Sequence, residues 1–141
     1  MIQISRAADY AIRGVLYLTM KPRYKFVLLD EISERQNIPR SFLTKIFMSL
    51  SKSGIVDSRR GYKGGFMLAK SPDDITILDI IESIEGPVSI NQCVNFSGTC
   101  DRENFCPVRE VWKKTQKEIF NILKGTSMQS LSDRSGEIRL D

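Results

Sequence analysis

Two stretches of helical periodicity, residues 29–36 and 40–53, are separated by little more than Asn37-Ile38-Pro39. So short a link leaves the chain few arrangements, and the pair reads as a helix-turn-helix. Asp30 is placed to cap the first helix, and Pro39 suits the entry to the second. The second helix is expected to bury Phe42, Leu43, Ile46, Phe47 and Leu50, with Gly54 as its C′ residue. Directly after it, residues 55–59 alternate as a strand does. Gly61, Gly64 and Gly65 make a loop tip, and residues 66–69 return. This is the layout of a wing, with Arg59, Arg60 and Lys63 near its tip. Upstream, residues 5–20 form a helix capped by Ser5, with a stripe of Ala8, Ile12, Val15, Leu16 and Met20. Lys21-Pro22 ends it, and residues 26–28 make a short strand. Downstream, residues 75–84 form a helix with Thr76 as N-cap, stopped by Gly86-Pro87. The expected fold class is mainly α with a small β-hairpin wing. A winged helix-turn-helix domain spans residues 1–86, a cysteine-containing loop 87–106, a long helix with a C-terminal segment 107–131, and a polar tail 132–141 that frays from Asp133 onward.

Charge is divided unevenly along this frame. Residues 1–70 hold 13 Lys/Arg against 5 Asp/Glu, whereas the remainder is acidic, for a net charge of +4. A basic first half points to a module that binds a polyanion. No apolar run is long enough for a membrane span, and MIQISRAADYAIRG lacks the apolar stretch of a secretory leader, so the expected location is cytoplasmic. Histidine is absent, which excludes His general acid/base catalysis and His metal ligands. GYKGGF is not a P-loop, because no Gly-Lys-Ser/Thr ends it. Together with the lack of a C-x-x-C pair, this argues against an enzyme.

The only cysteines, Cys93, Cys100 and Cys106, fall in one short segment, QCVNFSGTCDRENFC. An odd, clustered set suits a shared ligand in a reducing compartment better than a disulfide framework. Soft thiolates favour an iron–sulfur cluster or zinc, and a direct thiol redox switch is the remaining alternative. The following helix, residues 107–124, carries Val108, Val111, Trp112, Ile119 and Leu123. So long an apolar stripe on a small domain implies burial in a homodimer.

Four pieces in this order, ADYAIRGVLYL, LDEISERQNIPRSFLTKIFMSL, RRGYKGGFML and the cysteine loop running into CPVREVW, resemble the Rrf-type winged-helix transcriptional regulators. That group contains the iron–sulfur regulator IscR and the nitric-oxide sensor NsrR, and the resemblance spans roughly residues 1–131. It implies a homodimeric repressor that binds a pseudo-palindromic double-stranded DNA operator. Each subunit would carry one [2Fe–2S] or [4Fe–4S] cluster that sets operator affinity. On a recognition helix the N-terminal residues face base edges, here Arg40, Ser41, Thr44 and Lys45. The resemblance puts Arg60 at the minor groove, with Arg59, Tyr62 and Lys63 on the backbone. Three cysteines leave one cluster position open. The IscR solution, a histidine, is closed to this chain. The resemblance to NsrR implies Asp9, donated across the dimer. Asp101 and Glu103 are rival ligands, and a plain ion pair of Asp9 with Arg13 is the alternative role for that carboxylate. Thr44 stands where IscR has a glutamate, so operator sequence need not follow IscR.

Overall fold

The computed structural model describes residues 3–95, 97–98 and 100–135. Among the described residues, seven helices and one hairpin follow in order: α1 (Arg6–Thr19), α2 (Leu29–Gln36), α3 (Arg40–Lys52), β1 (Val56–Arg59), β2 (Gly65–Leu68), α4 (Ile77–Glu85), α5 (Gln92–Asn95), α6 (Pro107–Lys124) and α7 (Met128–Ser135), with a 3-10 turn at Pro72–Asp74. This is the expected winged helix-turn-helix, mostly helical with an antiparallel two-stranded wing.

The capping residues explain where several elements begin. Ser5 accepts from the Ala8 amide at 3.1 Å. Thr76 and Asp79 form a reciprocal capping box, at 3.1 and 3.0 Å, that starts α4. Asp30, expected as the cap of α2, is not one. Val27 pairs with Phe66 as an isolated bridge, so the chain turns into the helix already at Leu28, which has no side-chain cap. Asp30 then lies inside the first turn and its carboxylate pairs with Arg40. The same geometry reduces the expected strand at 26–28 to that one bridge.

The core lies where α1, α3, α4 and the wing base meet. Leu43, Ile46, Phe47 and Leu50 give α3 its buried face, and Ala8, Ala11, Val15 and Leu18 give α1 its own. Phe42 was expected in this core and is instead 53% exposed. It stands one residue off the buried stripe and meets Tyr10 edge-on, ring centroids 6.3 Å apart. Met20, expected on the α1 stripe, is also exposed, because the stripe runs through Ala11 and Leu18 and ends there. The C-terminal segment contributes more than its polarity indicates. α7 packs on α1 and on the 3-10 turn, and its Met128 is fully buried in the same core. Residues 133–135, expected to fray, complete this helix, while 136–141 lie outside the described residues.

Candidate nucleic-acid interface and cysteine cavity

The α2–α3 turn is held tightly. Asn37 adopts φ 52°, ψ 50°, the left-handed cap that Asn tolerates, and its amide bonds the Ser33 carbonyl. The Ser33 hydroxyl donates to the Ile38 carbonyl at 2.6 Å. This turn presents Arg40, Ser41, Thr44 and Lys45 together on the solvent face of α3, opposite its buried stripe. The Thr44 hydroxyl donates to the Arg40 carbonyl at 2.9 Å, which leaves its oxygen lone pairs outward. Arg40 is paired with Asp30, but both side chains are more than 60% exposed, so the pair holds Arg40 by no more than about 1 kcal/mol. α3 has no side-chain cap at its start, and its positive end is therefore open to an anion.

The wing stands beside this helix. β1 and β2 pair in register from Val56–Leu68 to Arg59–Gly65. Gly65 has φ 128°, and a Cβ there would collide with the Val27 carbonyl, so the close approach of the Val27 segment requires glycine. Arg59 lies over the Phe26 ring at 5.6 Å, and Lys63 over Tyr62 at 5.8 Å. Arg60 and Tyr62 are exposed at the tip.

The three cysteines, 93, 100 and 106, converge on one cavity of about 230 Å³, lined also by Asn91, Val108, Arg109 and Trp112. All three are free thiols; Cys93 and Cys106 are half-buried and Cys100 is exposed. Cys93 rides on the short α5, and Cys106 is the N-cap of the 18-residue α6. The positive end of that helix favours a centre of net negative charge. Arg109 ties the loop together from inside α6. Its guanidinium donates to the carbonyls of Cys93, at 2.9 Å, and Glu103, at 3.1 Å. The buried Gln116 accepts from the Ile90 amide at 3.1 Å and holds the loop's entry. Neither residue was anticipated from the sequence. Gln116 was legible as a lone polar residue four positions after Trp112 on an apolar stripe. Arg109 carried no such signal.

The expected oxygen ligands are not brought to this cavity within one chain. The Asp9 side chain is 62% exposed and lies 3.9 Å from Arg13. Glu103 turns back to accept from the Gly98 amide at 2.7 Å. Asp101 is exposed and lines no part of the cavity. Among the described residues no three Cys, Asp or Glu side chains are gathered as around a single ion. Three soft sulfur donors around a shared hollow do fit a cluster, in which the thiolates divide among several irons and so stand further apart than around one ion.

The family model described as an iron-dependent transcriptional regulator, Rrf2, matches residues 4–134. The chain belongs to the Rrf2 family. This regulator is 26% identical over 139 residues to the HTH-type transcriptional regulator NsrR of Halalkalibacterium halodurans, covering 98% of this chain and 95% of that one. Among solved structures it is similar to T. potens IscR, with a TM-score of 0.80 and 26% identity over 99% and 93% of the two chains. It is likewise similar to CymR, the global cysteine regulator of B. subtilis, with a TM-score of 0.78 and 28% identity over 94% and 98%. These Rrf2-family relatives are regulators of transcription, not enzymes, and DNA binding comes with the family. Among the described residues no helix is long and apolar enough to cross a membrane.

Proposed function

We propose that this Rrf2-family regulator is a homodimeric repressor whose grip on a pseudo-palindromic operator is set by an iron–sulfur cluster on Cys93, Cys100 and Cys106. The observation that carries the reading is the single cavity onto which all three thiols open, at the start of α6. The names of its relatives, IscR and NsrR, point the same way. Asp9 of the partner subunit is the candidate fourth ligand. When bound, the cluster supplies a redox-active and nitric-oxide-sensitive centre with one labile, oxygen-ligated corner. Everything else in the switch falls to the chain itself. Arg40, Ser41, Thr44 and Lys45 read base edges, Arg60 enters the minor groove, and Arg59 and Lys63 hold phosphates. The apolar side of α6, where Val108, Val111 and Ile122 are exposed in the single chain, supplies the dimer contact.

Arg13 connects Asp9 to the DNA-binding face. It pairs with Asp9 and also donates to the Gln36 carbonyl at the end of α2, and it lies 5.6 Å from the Tyr10 ring that meets Phe42. An Asp9 drawn to a partner's cluster leaves Arg13. The charge balance at the helix-turn-helix therefore differs between the two states, and half-site spacing makes affinity sensitive to small rotations.

CymR among the neighbours favours a second reading, in which the exposed Cys100 and its companions act as a direct thiol switch. Iron, sulfide and zinc content, with the visible spectrum, of protein purified without oxygen separates the two. Matching iron and sulfide, with colour lost in Cys93→Ala, is the expected result. Metal-free protein even after anaerobic reconstitution refutes the cluster and leaves the thiol switch.

A further inference from the structure

The segment between α1 and α2 carries a second basic surface that neither the recognition helix nor the wing accounts for. Its sequence is Lys21-Pro22-Arg23-Tyr24-Lys25. Resting on the reading of this chain as a DNA binder, we infer that Arg23 and Lys25 form an additional phosphate clamp, extending the DNA contact sideways from the wing.

Position comes first. Val27 bridges Phe66 on the edge of β2 away from β1, so this segment is the outer edge of the wing sheet. It is fixed to the hairpin at three points. Arg23 donates to the Leu68 carbonyl at 3.2 Å, the Val27 amide donates to the Phe66 carbonyl at 2.8 Å, and Phe26 lies under the Arg59 guanidinium. Arg23 and Lys25 therefore stand on the same small sheet as Arg59, Arg60 and Lys63.

Charge selects the residues. Lys21 is already neutralised by Glu31 at 3.1 Å and packed over Tyr17. Arg23 and Lys25 form no ion pair among the described residues. The hairpin's one carboxylate, Asp57, lies on β1 with Arg59 and forms no ion pair among the described residues. Five cations of one small sheet and its tip, Arg23, Lys25, Arg59, Arg60 and Lys63, form no ion pair among the described residues, and such a set is suited to a polyphosphate backbone.

Conformation supports the same assignment. Among the described residues only Tyr24, Asn37 and Lys63 adopt positive φ without being glycine, at 66°, 52° and 60°. Asn37 makes the helix-turn-helix turn and Lys63 the wing tip. Tyr24 is the third, 77% exposed, and the Arg23 guanidinium stacks on it at 4.9 Å. A bulky residue held in this region costs free energy, and such outliers gather at binding surfaces. Here the outlier turns the chain so that Arg23 is supported on an aromatic face and Lys25 is left exposed, with no ion pair or ring contact among the described residues.

The test uses the full chain and a fluorescent duplex of random sequence, about three helical turns long, titrated at about 50 to 200 mM KCl. Phosphate contacts do not depend on sequence, so the operator need not be known. Arg23→Ala/Lys25→Ala should reduce the slope of log affinity against log salt by ~1.8 per bound subunit, and Lys25→Gln alone by ~0.9. Lys25 is exposed and forms no ion pair among the described residues, so the single variant stays informative if the double variant folds poorly. Arg60→Ala serves as the wing control. A reduced slope in Arg60→Ala with an unchanged slope in both loop variants overturns the clamp alone. Absence of salt-dependent binding by the wild-type chain overturns the DNA-binding reading and the clamp with it.

Discussion

Gly14→Ala tests how closely α1 sits on α3. In an exposed helix interior the change would stabilise the protein by about 1 kcal/mol, because alanine is the better helix former. Here a Cβ at Gly14 would stand 2.9 Å from Phe47 Cε2 and 3.1 Å from its Cζ. Phe47 cannot swing aside. It is fully buried and meets Phe66 edge-on with ring centroids 4.9 Å apart. Overpacking of this kind costs about 1–3 kcal/mol, so the net effect is a loss of about 1 kcal/mol and a fall in Tm of about 3 °C. Phe47→Leu removes the obstructing ring edge. In that background Gly14→Ala should regain its propensity advantage, giving a coupling energy of at least about 1 kcal/mol in the double-mutant cycle. Thermal and urea unfolding at one fixed protein concentration would measure it, since association adds a concentration-dependent contribution. If Gly14→Ala stabilises both backgrounds equally, the Phe47 ring does not limit the approach of α1 to α3, and the packing argument fails.

Arg109→Ala removes two charge-assisted bonds to the cysteine loop, worth about 1.5–3 kcal/mol each. Cys93 and Cys106 should be alkylated much faster in metal-free protein, while the already exposed Cys100 changes little and the unfolding midpoint falls. Unchanged Cys93 labelling would show that the loop is held elsewhere. The Tyr17–Lys21–Glu31 group sets an acid limb of stability. The Tyr17 hydroxyl, donating to Glu31 at 2.6 Å, and then Lys21 hold the Glu31 carboxyl below its ordinary 4.5. The folded state therefore binds protons less readily than the unfolded one. The stabilisation is complete above pH 4.5 and is lost as pH falls through the folded value. The stability difference between wild type and Glu31→Gln should be present at neutral pH and vanish in acid; a pH-independent difference would refute this origin.

Much of the DNA-facing architecture could be read from local signals, because local physics creates it. Ser5 and Thr76 cap helices through bonds to amides three residues away, and the Asn37 turn and the wing glycines answer to backbone sterics. The errors at Asp30 and in α7 come from partners distant in sequence, and the one at Phe42 from its angle on the helix. Asp30 has the chemistry of a cap, yet the bridge between Val27 and Phe66 starts the helix at Leu28 and gives Asp30 to Arg40. Phe42 has the hydrophobicity of a core residue, but the stripe through Leu43, Ile46, Phe47 and Leu50 leaves it 100° away, on Tyr10. α7 has only Met128 and Leu131 to mark a buried side, too few for periodicity, and its place in the core comes from the surfaces of α1 and the 3-10 turn.

The candidate cysteine site divides along the same line. Three thiols and no histidine restrict the chemistry before any fold is known, but spacing does not say what orients them. That task falls to α6. Its N-cap is Cys106, its first turn supplies Arg109 to the carbonyls of Cys93 and Glu103, and its buried Gln116 holds Ile90. One rigid helix thus touches both ends of the loop that carries the sulfurs. The same helix turns Val108 and Val111 to solvent in the single chain, on the side proposed for the partner subunit. A change that shifts the loop must therefore either strain the Arg109 bonds or move α6. In the proposed dimer, moving α6 changes the separation of the two α3 helices. In the proposed dimer, cysteine chemistry and operator geometry are in this way linked through an element that is capped by one of the three cysteines and contains none of the residues proposed to touch DNA.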